Sequence, residues 1–94
     1  MRVEYAKRAL ADLRQIAGYY ARSGNPAVAA RITERIEQAV ARIAVSPLSG
    51  RAVVPRPGVR VALLPNYRYK IFYRVIGDTV RIVHIRHTSR RPYD

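Results

Sequence analysis

The sequence predicts an α+β fold: β-α-α-β-β-β, with a helical hairpin packed on one face of a small, mainly antiparallel sheet. Three observations carry this. Apolar residues recur at spacings of three and four between residues 6 and 45. They alternate with polar ones from residue 59 onward, and Gly77-Asp78 divides that second region into two arms of a hairpin.

The opening Val3 and Tyr5 alternate with charged neighbours, which predicts a strand over roughly residues 1–5. From Ala6 the period changes. Ala6, Ala9, Leu10, Leu13, Ile16, Ala17 and Tyr20 form one stripe of a helix, with Lys7, Arg8, Asp12, Arg14 and Gln15 on its other side. Gly24 suits the left-handed position that closes a helix. Asn25 then serves as the N-cap, and Pro26 as the first residue, of a second helix over about residues 26–45. Its stripe is Ala29, Ile32, Ile36, Ala39, Val40 and Ile43, and Pro47 stops it. So short a connection between two amphipathic helices predicts an antiparallel pair.

Residues 46–58 hold three prolines and two glycines and are read as a loop. Strands follow over residues 59–64, 68–76 and 79–87. With Gly77-Asp78 as the turn, Val75 opposes Val80, Tyr73 opposes Ile82, Ile71 opposes His84 and Tyr69 opposes Arg86. Simple alternation then gives two faces. Tyr69, Ile71, Tyr73, Val75, Val80, Ile82, His84 and Arg86 face the helices, with His84 a hydrogen-bonded, partly buried histidine. Arg68, Lys70, Phe72, Arg74, Arg81, Val83, Ile85 and His87 form the other face, where Arg74 opposes Arg81. Opposed like charges destabilise a sheet, and an anionic partner or solvent screening would relieve them. That face is either a solvated exterior or a contact surface.

Charge and composition narrow the function. At 94 residues, 49% of them hydrophobic, the chain suffices for one modest core and is expected to be a single domain over 1–94. No apolar run nears the ~18 residues of a membrane span, and the N-terminus lacks the apolar segment of a signal peptide, so a cytoplasmic location is expected. Without cysteine there is no disulfide, thiolate nucleophile or zinc finger. Two histidines and six carboxylates make a metal site or a carboxylate acid/base pair improbable, and no cofactor is expected. Residues 1–50 carry 8 cations and 4 anions, and residues 51–94 carry 10 and 2, for a net +12. Such an excess attracts polyanions: nucleic acid, a ribosome, or an acidic protein. Sixteen of the 18 cations are arginine, which suits phosphate and carboxylate recognition, although a GC-rich genome produces the same bias. Arg90, Arg91 and Tyr93 add cations and a ring after the last strand, a mixture common in surfaces that grip single-stranded nucleic acid.

The ordered set of elements, Ser46-Pro47-x-x-Gly50-Arg51, the run Tyr69-Lys-Ile-Phe-Tyr-Arg-Val-Ile-Gly-Asp78 and the run Val80-Arg-Ile-Val-His-Ile-Arg-His87 with Arg90-Arg91 resembles one family across the whole chain. It looks like the RelE/ParE superfamily of toxins from bacterial type II toxin–antitoxin systems. The resemblance implies growth arrest by one of two routes. RelE-type members cut messenger RNA at the ribosomal A site, and ParE-type members poison DNA gyrase. Both are neutralised by a cognate antitoxin, and a +12 toxin suits an acidic one.

On the RelE pattern Tyr-Arg-x-x-Tyr, Lys70 stands in place of the arginine that helps stabilise charge on the scissile phosphate. His87 falls where relatives carry a proton-transferring histidine or tyrosine. The catalytic candidates under that branch are Lys70, Arg74, Arg81 and His87, with no metal. Target or nucleic-acid contacts are expected from Arg68, Lys70, Phe72, Arg74, Arg81, His87, Arg90, Arg91 and Tyr93. No glutamate falls on the basic face, and the loop after the second helix offers only Arg51 and Arg56. The long second helix and the Gly77-Asp78 turn look closer to the ParE branch, which would be no enzyme. A plain nucleic-acid-binding domain is the third reading.

Overall fold

The computed structural model describes residues 1–54, 56–64 and 66–88. Its elements are β1 (Arg2–Tyr5), α1 (Lys7–Arg22), α2 (Pro26–Val45), β2 (Arg51–Ala52), β3 (Val59–Leu64), β4 (Tyr69–Ile76) and β5 (Thr79–His87). The five strands form one sheet in the order β1-β5-β4-β3-β2. Only the β1–β5 pair is parallel: after β1 the two helices carry the chain across to β2 at the far edge, and it returns through β3 and β4 to β5. β2 lies inside the segment expected to be a loop. Its two residues pair with Val61 and Arg60, and an alternating pattern cannot be read from a pair of residues.

The helix signals act where the sequence puts them. Asn25 Oδ1 accepts from the backbone N–H of Val28 at 3.3 Å, and Pro26 opens α2, where a missing N–H costs nothing. Ala6 lies outside α1 as its N-cap, with no side-chain bond; its own N–H donates to Ile82 O at 2.9 Å and ties the end of β1 to β5. The core is one cluster. Ala9 and Ile16 of α1 and Ile32, Ile36, Ala39, Val40 and Ile43 of α2 meet Ile71, Tyr73, Val80, Ile82 and Ile85 of the sheet. Each such isoleucine contributes about 1.5–3 kcal/mol by leaving water. Leu10, on the edge of the α1 stripe, stays 39% exposed.

One phenol organises the segment after α2. Tyr73 is fully buried; its hydroxyl donates to Pro47 O and accepts from Gly50 N–H, both at 2.8 Å. A Cβ at Gly50 would overlap that hydroxyl, so the Ser46-Pro47-x-x-Gly50-Arg51 run is shaped around a tyrosine 23 residues further on. Arg60 completes the fastening by donating to Gly50 O at 2.8 Å and Leu48 O at 3.2 Å.

The hairpin departs from simple alternation at one place. Ile76–Thr79, Val75–Val80, Arg74–Arg81 and Tyr73–Ile82 pair as the turn dictates, with Gly77 at φ 60°. Next, Phe72 pairs with His84, so Val83 is an extra residue: a β-bulge. Beyond it Ile71 opposes Ile85, Lys70 opposes Arg86 and Tyr69 opposes His87. Each residue of β5 past the bulge has therefore exchanged faces relative to the expectation. Ile85 is core at 2% exposure, and His87 lies with Tyr69, ring to ring, edge-on at 5.1 Å. His84 and Arg86 move to the face of Phe72 and Lys70. The physical cause is burial: without the bulge an isoleucine would face out, and an imidazole and a guanidinium would face the helices.

Candidate functional site

The helices cover one face of the sheet and leave the other open. Pairing places Arg2 and Glu4 of β1, Arg81 and His84 of β5, Lys70, Phe72 and Arg74 of β4, Val61 and Leu63 of β3 and Arg51 of β2 on that open face. It is a cation-rich surface with an apolar strip, Leu63 being 54% and Ile76 52% exposed. Phe72 and His84 stack across the hairpin, 5.9 Å between centroids and 19° between planes.

The Arg74–Arg81 opposition is real, and the protein answers it itself. Glu4 puts a glutamate on the face where the sequence reading expected none, because the parallel pairing of β1 with β5 sets it opposite Arg81: its Oε1 lies 3.3 Å from Arg81 Nε, and Arg74 donates to Pro57 O at 3.1 Å. Relief of that repulsion needs no outside anion. Arg68 is not part of β4: it stands in the preceding turn with left-handed backbone (φ 57°), and its carbonyl accepts from Thr88 N–H. Lys70, Phe72, Arg74 and Arg81 thus come together as the sequence suggests. His87 lies across the sheet from them, and the imidazole on their side is His84. Arg90, Arg91 and Tyr93 lie outside the described residues.

Sequence reasoning missed one residue altogether. Asp12, expected on the polar side of α1, is 92% shielded from solvent, at 8% exposure. Its Oδ2 meets His84 Nδ1 at 2.6 Å and accepts from the backbone N–H of Ile85 at 2.9 Å; Oδ1 lies 3.6 Å from Arg8 Nε. The signal was present: Asp12 falls three residues after Ala9 and four before Ile16, within the apolar stripe. β1 pairs with β5 only as far as Ile82, so the carboxylate takes the place of a strand for Ile85. Asp12 also fixes the His84 ring against Phe72. Tyr5, at the end of β1, has its phenol pKa raised, first by burial and second by the nearby Glu37 carboxylate.

Among the described residues no group of three His, Cys, Asp or Glu side chains could hold a metal ion, and no helix is long and apolar enough to cross a membrane. The arrangement offers fixed positive charge, an apolar strip and an ordered imidazole.

Two helices on one face of a five-stranded mixed sheet, with a basic open face, define the RelE/ParE-like toxin fold. Residues 3–92 match the model of the ParE toxin of type II toxin–antitoxin system, parDE, and the chain belongs to that family. Among solved structures it is similar to a chain of the chromosomal ParDE TA system from P. aeruginosa. That match has TM-score 0.81 and 26% identity, over 93% of this chain and 95% of that one. It shares its fold with a chain of the intact E. coli RelBE toxin–antitoxin complex, at TM-score 0.71 and 16% identity, over 95% and 98% of the two chains. The isolated E. coli RelE toxin matches at 0.70 and 16%, over 97% and 87%. No curated protein matches the sequence significantly.

Proposed function

We propose that this ParE-family toxin arrests growth by inhibiting DNA gyrase in the cytoplasm, and that a cognate antitoxin with an acidic segment neutralises it. The observation that carries the reading, beside the family itself, is the separation of His87 from Lys70, Arg74 and Arg81 by the sheet. General acid–base catalysis requires the proton-transferring group within hydrogen-bond reach of the atom it serves. The four candidate catalytic residues do not share a face, so His87 is not within reach of a phosphate held by Lys70, Arg74 and Arg81. What is left is a rigid basic surface suited to macromolecular contact, through Lys70, Phe72, Arg74 and Arg81. The same surface and the +12 charge suit steering of an acidic antitoxin. Purified toxin should block gyrase supercoiling and accumulate cleaved DNA complexes, and the antitoxin should reverse both. Supercoiling that continues at high toxin excess would refute the gyrase target.

Ribosome-dependent messenger cleavage is the second reading, favoured by one observation: the bulge brings His84, ordered by Asp12, onto the face of Lys70. It requires transcripts to be cut on translating ribosomes, with cleavage lost in Lys70→Ala. Intact transcripts in arrested cells exclude it.

A further inference from the structure

The open face of the sheet holds its cations and its apolar residues in a fixed relation. An antiparallel sheet covered on one face ordinarily turns polar residues to water. β3 departs from this. It keeps Leu64 in the core, yet Arg60 lies on the helix side beside Tyr73, where Gly50 O and Leu48 O accept from its guanidinium. Val59, Val61 and Leu63 lie on the open side. Each has a cation as cross-strand neighbour: Arg74 beside Val59, Arg51 beside Val61 and Lys70 beside Leu63.

Two details point to an occupant. First, the chain itself closes one end of the strip. Val59 is 3% exposed without belonging to the core cluster. The turn before it folds back, with Arg56 O accepting from Val59 N–H and Pro57 O accepting from Arg74, both at 3.1 Å. The next two positions have no such cover. Val61 and its β4 neighbour Phe72 are half-buried, and Leu63 is 54% exposed. Second, the cations divide in the same way. Arg74 and Arg81 are engaged, by Pro57 O and by Glu4. Among the described residues nothing engages the side chains of Arg51 and Lys70, which flank the uncovered part. Uncovered apolar groups and unengaged cations therefore coincide. An occupant that satisfies both carries apolar side chains with carboxylates beside them. A phosphate backbone would use the cations and leave Val61 and Leu63 in water. Phe72, the ring beside the strip, is already stacked on His84.

We propose that Val61, Leu63 and Phe72, with Arg51 and Lys70, dock a protein segment in which apolar side chains and carboxylates are interleaved. The inference rests on the reading of the open face as the contact with gyrase, and it deepens that reading: the toxin grips the gyrase protein through such a segment, not the DNA that gyrase holds. Complementary charge sets the register of the segment and speeds its encounter, and the apolar strip holds it.

The test has two arms. In the first, the purified chain is titrated with an alternating glutamate–leucine hexapeptide, with hexaglutamate and with a six-residue oligothymidylate, and its backbone amide and methyl resonances are followed. The alternating peptide should shift Val61, Leu63 and Phe72 and bind at least about tenfold more tightly than the other two. Oligothymidylate or hexaglutamate binding there as tightly as the alternating peptide would overturn the proposal, as would shifts confined to the helices. In the second arm, purified gyrase without DNA should retain the chain. Leu63→Ser and Arg51→Glu should each weaken that binding and the inhibition of supercoiling about tenfold or more, with the unfolding midpoint unchanged, both side chains being exposed. Retention only when DNA is added, or variants that equal the wild type, would overturn the proposal while the gyrase reading stands. A wild-type chain that leaves supercoiling untouched would sink that reading instead, and the peptide arm would then decide the chemistry of the face by itself.

Discussion

The hairpin of β4 and β5 is built in two halves that follow different rules. On the turn side, from Tyr73–Ile82 to Ile76–Thr79, β5 has a strand on each flank, and side chains alternate without interruption. Past Val83 one flank is a helix, and the backbone N–H of Ile85 is satisfied by a carboxylate of α1. A strand supplies partners at a fixed repeat, so alternation alone determines the first half. A side chain supplies one partner at one place, so the second half takes its register from Asp12 and from which residues tolerate burial.

Exchanging core and surface roles beyond the bulge is the sharpest way to break this comparison. Ile85→Ala should cost about 2–5 kcal/mol in urea unfolding, as for any buried isoleucine. Arg86→Ala should cost well under half as much as Ile85→Ala; the reverse ranking would mean that simple alternation continues past Tyr73. Next comes the carboxylate. Asp12→Ala strands Ile85 N–H and His84 Nδ1 at once and should cost about 3 kcal/mol. Asp12→Asn keeps an acceptor for Ile85 and should cost clearly less. Loss of the Phe72–His84 ring-current shifts in the alanine variant, with Val80 and Ile82 unmoved, would show that the damage stays in the outer half.

The turn half has its own weak points. Tyr73→Phe removes the bridge between Pro47 O and Gly50 N–H and should cost about 1–3 kcal/mol. Hydrogen exchange should quicken at Gly50 more than at any residue past the bulge. The smallest effect concerns Tyr5. Its folded pKa lies above the ordinary tyrosine value of 10.0, so above pH 10 the unfolded chain releases the proton first. Stability should be full below pH 10 and fall as pH rises through the folded pKa. Tyr5→Phe should flatten that decline, and an unchanged slope would assign it to other groups.

The elements with a repeating pattern were legible in the sequence: α2 begins at Pro26 and β5 spans 79–87 as the spacing requires. What escaped it had no period to announce it. A bulge is one extra residue, and Val83 is as good a strand residue as its neighbours, so nothing local marks it. Asp12 was visible within an apolar stripe, but the two partners that bury it, His84 and Ile85, lie 72 and 73 residues away. The basic stripe Lys70, Arg74, Arg81 was legible because it lies on the turn side, where alternation holds. Placement of His84 and His87 depended on the other half and came out exchanged.

The carboxylate that stands in for a strand also limits how other chains can attach. Partners that bind by adding a strand need an uncovered row of backbone donors and acceptors. Along β5 past the bulge, α1 and Asp12 occupy that row. Among the described residues, the rims that remain are the outer sides of β1, four residues, of β2, two, and of β3 past its pairing with β2, residues 62–64. Each is too short to template much pairing, and a net charge of +12 repels further copies. Edge-to-edge polymerisation is thereby disfavoured twice, by geometry and by charge, in a chain whose open face carries exposed leucine and isoleucine.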